Sequence, residues 1–538
     1  MLYVAETFTD EESAILRPYF TNLDGPVFAL VNLPEVVKGA LFARYSRSSK
    51  SLRRLFLDEF VADLDLTGDL SVDASIGLRR AEDLYEKVFV EYGDDSVAQL
   101  GATHLACEQA SNVLTKVLEW GRLASYLEQS TRYIPYDTRL GGRYRYLRPP
   151  SILDSPIGAR YVSDMDHMFD LYAQTLPVLT DWARDRYPKE SGDSDFVYKQ
   201  TIKAKACDAA RGMLPAATLS NLGIFASGQA YESLLLRMRA HPLPEARTYS
   251  TLMLEELQKV IPSFLSRVDR PDRGGVWSQY FEDTQRATAA LGDRILGPAA
   301  EPTIGPSVQL VDFDPDGEIK VAAAALFPVS HLSESSLRER VSQMTSEERG
   351  EIIATYAGTR ENRRHRPGRA FEATSYRFEI VGDYGAFRDL QRHRMLTIDW
   401  QTLDTDHGYE VPDGIQDAGL LPVFEEAMEC SHGLTRAIRE RSESEAIYGV
   451  ALAHRMRYVM DMNAREAMHL IELRSGNQGH PAYRWVAQQM HHLIAGAAGH
   501  QHIAAAMSYV DHESSGLERL ESERRAEARR AANLANRT

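Results

Sequence analysis

A faint internal repeat constrains this chain more than any other feature. Gly39-Ala40-Leu41-Phe42 precedes a Ser- and Arg-rich run, Ser46 to Arg54, and Ala325-Leu326-Phe327 precedes a similar run, Ser333 to Arg340. Between the two copies, residues 292–307 are rich in Gly and Pro and read as a linker. The length of 538 residues allows two large domains or about three or four ordinary ones, and the repeat selects two. The expected layout is a first domain at 1–291, the linker at 292–307, a second domain at 308–512 and a charged, Ala-rich tail at 513–538.

Composition then narrows the class. Hydrophobic residues at 43% and charged residues at 26% are ordinary globular values, which excludes a disordered or collagen-like chain. No run of about 20 apolar residues offers a membrane span. The first residues lack the basic and apolar regions of a signal peptide. Cys107, Cys207 and Cys430 are too few for a disulfide framework and too scattered for a zinc site, so a reduced, cytoplasmic protein is expected. With 61 Lys+Arg against 77 Asp+Glu, the net charge of −16 argues against a nucleic-acid partner. It leaves room for small anionic ligands held by local arginines.

Each half reads as mixed α and β. Gln309–Phe313 and Ser375–Val381 alternate or cluster β-formers and are expected as strands. Ser111–Trp120 carries a helical apolar stripe, Val113, Leu114, Val117 and Leu118, that stops near Gly121. A longer stripe of the same kind (Met460, Ala464, Ala467, Met468, Ile471) predicts one helix over Tyr458–Arg474, with Asn463 and Arg474 on one face about 16 Å apart along the axis. The apolar residues themselves are core.

Polar runs carry the chemistry. Arg392-His393-Arg394 places two planar cations beside an imidazole, a grip for a phosphate or an electron-rich ring. Glu128, Ser130 and Arg132, at alternate positions, project to one side if their run is extended, where they could satisfy a sugar hydroxyl and a phosphate together. Arg211 stands just before an apolar turn. Taken singly, each of these also describes a charged surface turn. Four histidines, His491, His492, His500 and His502, suggest a metal, but no carboxylate or cysteine partner has ligand spacing and Arg484 lies close in sequence. No metal is expected.

These residues bring the chain to a resemblance. Gly93-Asp94-Asp95-Ser96, the run Glu108–Thr115 and Ser130-Thr131-Arg132-Tyr133 in the first half resemble the flavin-dependent thymidylate synthases, as do Arg392-His393-Arg394 and Asn463-Ala464-Arg465-Glu466 to Leu473-Arg474 in the second. The resemblance implies an α+β fold of two such domains in tandem, each an antiparallel sheet with packed helices. The two halves have lost complementary parts of the family's signature. The first has Trp120-Gly121-Arg122 and Ser227-Gly228-Gln229 at the flavin-side positions but keeps Ser125, Glu128, Ser130, Arg132 and Arg211, which match nucleotide-gripping positions. The second keeps Glu372, Arg392, His393, Arg394, Asn463, Arg465 and His469 on the flavin side, and Arg474, the arginine that activates the pyrimidine. It has Thr402 and Asp404 where the family has Ser and Arg, and Ile447 near the other expected arginine.

What the resemblance implies is reductive methylation of dUMP, or a related uridylate, at carbon 5. FAD would be the cofactor, with NADPH and methylenetetrahydrofolate as cosubstrates, and one composite site would draw on both halves. A homodimer would then imitate the family's tetramer. Asp389 stands where the family has a glutamine, with Val117 as its first-half counterpart, and His480–Trp485 replaces another family motif. Those departures leave a second pyrimidine nucleotide as substrate, or an inactive flavin- or nucleotide-binding homologue, as alternatives.

Overall fold

The computed structural model of the protein describes residues 3–61, 99, 101–190, 193–297 and 304–513. The Gly93–Ser96 motif, part of the linker and nearly all of the tail lie outside the described residues.

Alternating apolar residues build two antiparallel sheets of four strands each. The first contains β1 (Val27–Leu30), β2 (Ala102–Ser111), β3 (Ala124–Glu128) and β4 (Leu219–Ser227), in the order β1-β2-β4-β3. The second contains β5 (Ser307–Phe313), β6 (Ser375–Asp383), β7 (Thr397–Trp400) and β8 (Arg455–Asn463), in the order β5-β6-β8-β7. The same topology twice, with helices packed on each sheet, makes this an α+β tandem protein. In both copies two helices follow the first strand: Glu35–Tyr45 and Leu52–Glu59, then Gly317–Leu326 and Glu334–Ser342. These are the segments that carry the sequence repeat. Serines at 51 and 333 start the second helix of each pair by accepting a backbone N–H.

One expected element is different. Residues 458–463 belong to β8, and the helix begins only at Ala464. Met456, Tyr458, Met460 and Met462 are buried on one face and β8 pairs with β6 along its whole length, so the period of two wins over the helical spacing that Met460 and Ala464 also satisfy. Asn463 is therefore a cap, not a turn of helix.

Four strand-to-helix corners repeat one device. Ser111 Oγ accepts from Leu114 N at 3.0 Å, Ser227 Oγ from Ala230 N at 3.4 Å, Asp383 Oδ1 from Ala386 N at 2.8 Å and Asn463 Oδ1 from Glu466 N at 2.9 Å. Each strand thus ends on a residue that satisfies an orphan donor of the next helix. The helices so started are Asn112–Leu118, Gly228–Arg239, Tyr384–Leu390 and Ala464–Arg474. Close packing asks for Gly223 in β4, because a Cβ there would lie 2.2 Å from the ring of Phe42.

The compact units do not follow the halves of the chain. One unit comprises residues 1–173, 214–301 and 429–450, and the other residues 174–213, 302–428 and 451–538. Each unit therefore takes a segment from the other half. In the first, Ala216 N donates to Val450 O at 2.7 Å and Tyr448 OH to Glu245 at 3.0 Å. In the second, Ala453 N donates to Gly212 O at 3.0 Å. No helix among the described residues is long and apolar enough to cross a membrane.

Candidate functional site

The two helices that leave the second sheet carry a chain of three buried or half-buried groups. The helix Tyr384–Leu390 runs on into Arg392-His393-Arg394, and the helix Ala464–Arg474 supplies Glu466, His469 and Arg474. Glu466 Oε1 lies 3.0 Å from His393 Nδ1, and Arg474 Nε donates to His393 Nε2 at 3.0 Å. An arginine has no lone pair to offer, so His393 Nε2 is the acceptor and the ring proton sits on Nδ1, facing the carboxylate. Burial, reinforced by Arg474 and His469, holds the imidazole well below its usual range and keeps it neutral. Glu466 fixes the tautomer, and the tautomer fixes the guanidinium.

Charge around this chain is strongly positive. His469 packs against His393 with ring centroids 5.4 Å apart and lies 3.4 Å from Arg366 Nη2. Burial, then Arg366, Arg363 and Arg474, bring its pKa down to about 4. Burial pushes the Glu466 carboxyl up to about 7, against the pull of Arg366, Arg465 and Arg394. Arg465 Nε donates to Pro367 O at 2.9 Å and its Nη1 lies 3.4 Å from Glu372, which also pairs with Arg369. His393, Glu466 and His469 are close enough to hold a metal ion. The surrounding guanidiniums favour an anion there instead.

A second cluster adjoins the same corner, and one member comes from the first half of the sequence. Arg211 is buried, with Nη1 3.7 Å from Asp389 Oδ2. Asp389 is also ion-paired with Arg392. Asp383, the corner's cap, is pushed up to about 6 by burial although Arg211 opposes the shift. Gly385 permits this crowding: a Cβ there would lie 2.9 Å from Asp383 Oδ1 and 3.3 Å from Arg211 Nη2. Arg211 Nη2 is itself buried without a hydrogen-bond partner.

Ser125, Glu128, Ser130 and Arg132 lie in the first unit. Ser125 is exposed on β3. Glu128 is buried with its carboxylate 3.1 Å from Lys116 Nζ, which Glu119 also contacts. The strand stops at Glu128 and the chain turns over residues 131–133, where Arg132 N donates to Ser130 Oγ at 3.3 Å. The alternate-position projection expected for this run therefore does not extend past Glu128. A buried lysine claims the carboxylate, and the turn takes the rest.

The four carboxy-terminal histidines fall into different places: His491 and His492 stay together beside His512, with ring centroids 4.6 to 6.3 Å apart, while His500 and His502 go elsewhere. His500 contacts Tyr376 OH at 2.8 Å, His502 contacts Ser346 Oγ at 3.0 Å, and His491 pairs with His512 at 3.0 Å. Two site residues escaped the sequence reading. Glu466, three residues after Asn463, has the spacing of a reciprocal capping box, but its side chain turns to His393 instead. Arg366 was signalled only by the density of arginines around it.

The chain belongs to the family described as thymidylate synthase complementing protein, which matches residues 41–263 and 309–498. Three relatives match it over nearly their whole length. It is 38% identical to a UPF0159 protein of Chlamydia muridarum over 98% of this chain and 100% of that one. It is 40% identical to a UPF0159 protein of Chlamydia pneumoniae over 90% and 92%. A UPF0159 protein of Thermoplasma acidophilum is 32% identical over 90% and 97%. A solved structure, a UMP/dUMP methylase from Streptomyces cacaoi bound with 5-Br UMP, aligns with 40% of this chain and all of its own at 19% identity and a TM-score of 0.31.

Proposed function

We propose that the protein reductively methylates a uridylate, dUMP or a close relative, at carbon 5, with FAD as cofactor and NADPH and methylenetetrahydrofolate as cosubstrates. The supporting observation is the guanidinium of Arg474, held through Nε by a neutral histidine in a strongly positive, partly water-excluded corner. A pyrimidine becomes nucleophilic at carbon 5 when negative charge on its N3–O4 edge is stabilised. Arg474, which also hydrogen-bonds Tyr483, stays cationic, and its charge is assigned to that edge, an effect worth several kcal/mol in such a site. The buried Cys107 thiol is pushed far above its usual range by burial, which suits a reaction without a cysteine nucleophile.

The corner also suits the cofactor. A flavin dinucleotide carries a pyrophosphate, and its ring gains negative charge on reduction. Arg392, Arg394 and Arg465, with His393 and His469 kept neutral, offer donors to both. Asn463 and Glu372 would complete the flavin side, Glu372 by holding Arg465. When bound, FAD supplies the electron pair that the methylation needs. Asp389, paired with Arg392 and Arg211, presents little net repulsion to a phosphate. Arg211 is assigned to that phosphate together with Arg132, and Ser125 and Ser130 to the ribose and base. Glu128 supports the grip from its ion pair with Lys116. The working form is a homodimer.

Purification followed by a visible spectrum tests the cofactor, with absorbance near ~450 nm expected. Tritium release from 5-labelled dUMP, dependent on NADPH and the folate, tests the reaction. Replacing Arg474 or Arg132 should abolish release in each case, and undiminished release in either variant rejects that residue's role.

A further inference from the structure

Residues 360–369 hold five arginines and one glutamate, in a chain whose net charge is −16. Two of these arginines are spent on structure. Arg360 grips Glu472 with two bonds, 2.5 and 2.6 Å, both side chains being buried, and Arg369 pairs with Glu372. The segment is tied down elsewhere as well. Arg360 Nε donates to His365 O at 2.7 Å, Tyr509 OH to Arg360 O at 2.6 Å and Arg465 Nε to Pro367 O at 2.9 Å. Arg363, Arg364 and Arg366 remain exposed, with no ion-pair partner among the described residues. A braced loop thus presents three exposed cations, and the last of them reaches His469 at 3.4 Å.

We infer that this loop is a docking arc for an oligo-carboxylate chain, the γ-linked glutamyl tail of the folate cosubstrate. The inference rests on the function proposed above, which brings that folate to the adjoining corner. A single phosphate is best held by buried, converging forks. Exposed guanidiniums strung along a loop instead make successive weak, salt-sensitive contacts, which suit a ligand carrying one carboxylate per unit. Such contacts add up along the tail and leave the chemistry at Arg474 untouched.

The test measures binding of p-aminobenzoyl-pentaglutamate and p-aminobenzoyl-monoglutamate to the full chain and to an Arg363→Glu/Arg364→Glu variant. The milder Arg363→Gln/Arg364→Gln pair serves as a second variant. Wild type should prefer the pentaglutamate by about tenfold at roughly 50 mM salt, with the preference shrinking near 500 mM. Both variants should lose the preference. Equal binding of the two probes by wild type overturns the inference, as does a preference that survives in the variants. Loss of NADPH-over-NADH selectivity with the glutamyl preference intact would also overturn it, moving the arc to a nucleotide phosphate. Failure to methylate any uridylate sinks the proposed function instead, and the p-aminobenzoyl probes still decide the arc.

Discussion

Aligned on their caps, the corners of the two sheets show what one scaffold does with opposite contents. Nine residues after Asp383 stands Arg392-His393-Arg394, and nine after Ser111 stands Trp120-Gly121-Arg122. Three and eleven residues after Asn463 come Glu466 and Arg474, whereas after Ser227 come Ala230 and Met238. All three members of the Glu466–His393–Arg474 chain are thus missing together from the first sheet. The borrowed segments differ in the same sense. Arg211 stands eight residues before β4 and meets Asp389 in the second unit. Ile447 stands eight before β8, and its neighbour Tyr448 donates to Glu245 in the first. One corner gathers buried and half-buried charge; the other sets a buried Met238 beside exposed Trp120 and Arg122. The halves share a sheet topology, and the residues at these matched positions differ.

Exchanging the contents should have the largest effect. Arg474→Met, which copies Met238, should lower uridylate turnover by about 10²–10³-fold with the fold intact. The reverse change, Met238→Arg, buries an unpaired charge at a fully buried position and should cost about 3 kcal/mol or more in denaturant unfolding. A Met238→Arg protein of unchanged stability would show that this buried position can host a charge after all.

Next comes the chain that aims Arg474. Glu466→Gln should reduce kcat by roughly tenfold, with KM for the uridylate nearly constant, and should remove a limb near pH 7 from the pH profile. Nitrogen NMR of His393 in wild type should report a neutral ring protonated at Nδ1. A protonated ring, or the other tautomer, contradicts the arrangement.

The first corner has a titration of its own. Burial pushes Glu245 up to about 7, although Ser111 and Tyr448 donate to it. The folded state then holds a proton that the unfolded chain releases near pH 4.5. Its contribution is therefore full below about pH 4.5 and is lost as the pH rises through about 7, on the order of 3 kcal/mol. Glu245→Gln should remove that slope, read as the difference between the two proteins' unfolding free energies across pH 4 to 8. The smallest effects belong to the caps. Asn463→Ala and Ser227→Ala should each cost about 1 kcal/mol, but only the former should also reduce flavin retention.

Several of these features could be read from the sequence. Gln309–Phe313 and Ser375–Val381 are strands because their β-formers are local signals, and Val113, Leu114 and Leu118 do line a helix. Tyr458–Asn463 misled because methionine and alanine fit both periods, and only the partner strand decides between them. Glu466 was hidden because Asn-x-x-Glu has a second, purely local explanation. The fate of Glu128 depends on Lys116, twelve residues away in sequence but an ion-pair neighbour in space. The exchange of segments between halves leaves no local trace, since the described residues of 174–213 and 429–450 are mostly helical and nothing in a helix says which unit it joins.

That exchange sets an order of events during synthesis. The first unit includes residues 429–450, so it cannot close until the ribosome has made most of the second half. At about 5–20 residues per second, the first unit waits roughly seven to thirty seconds for its last segment after residue 301 appears. A gene split near residue 300 would give two polypeptides, each holding a piece the other needs. Joining the halves in a single polypeptide therefore guarantees equal amounts of both.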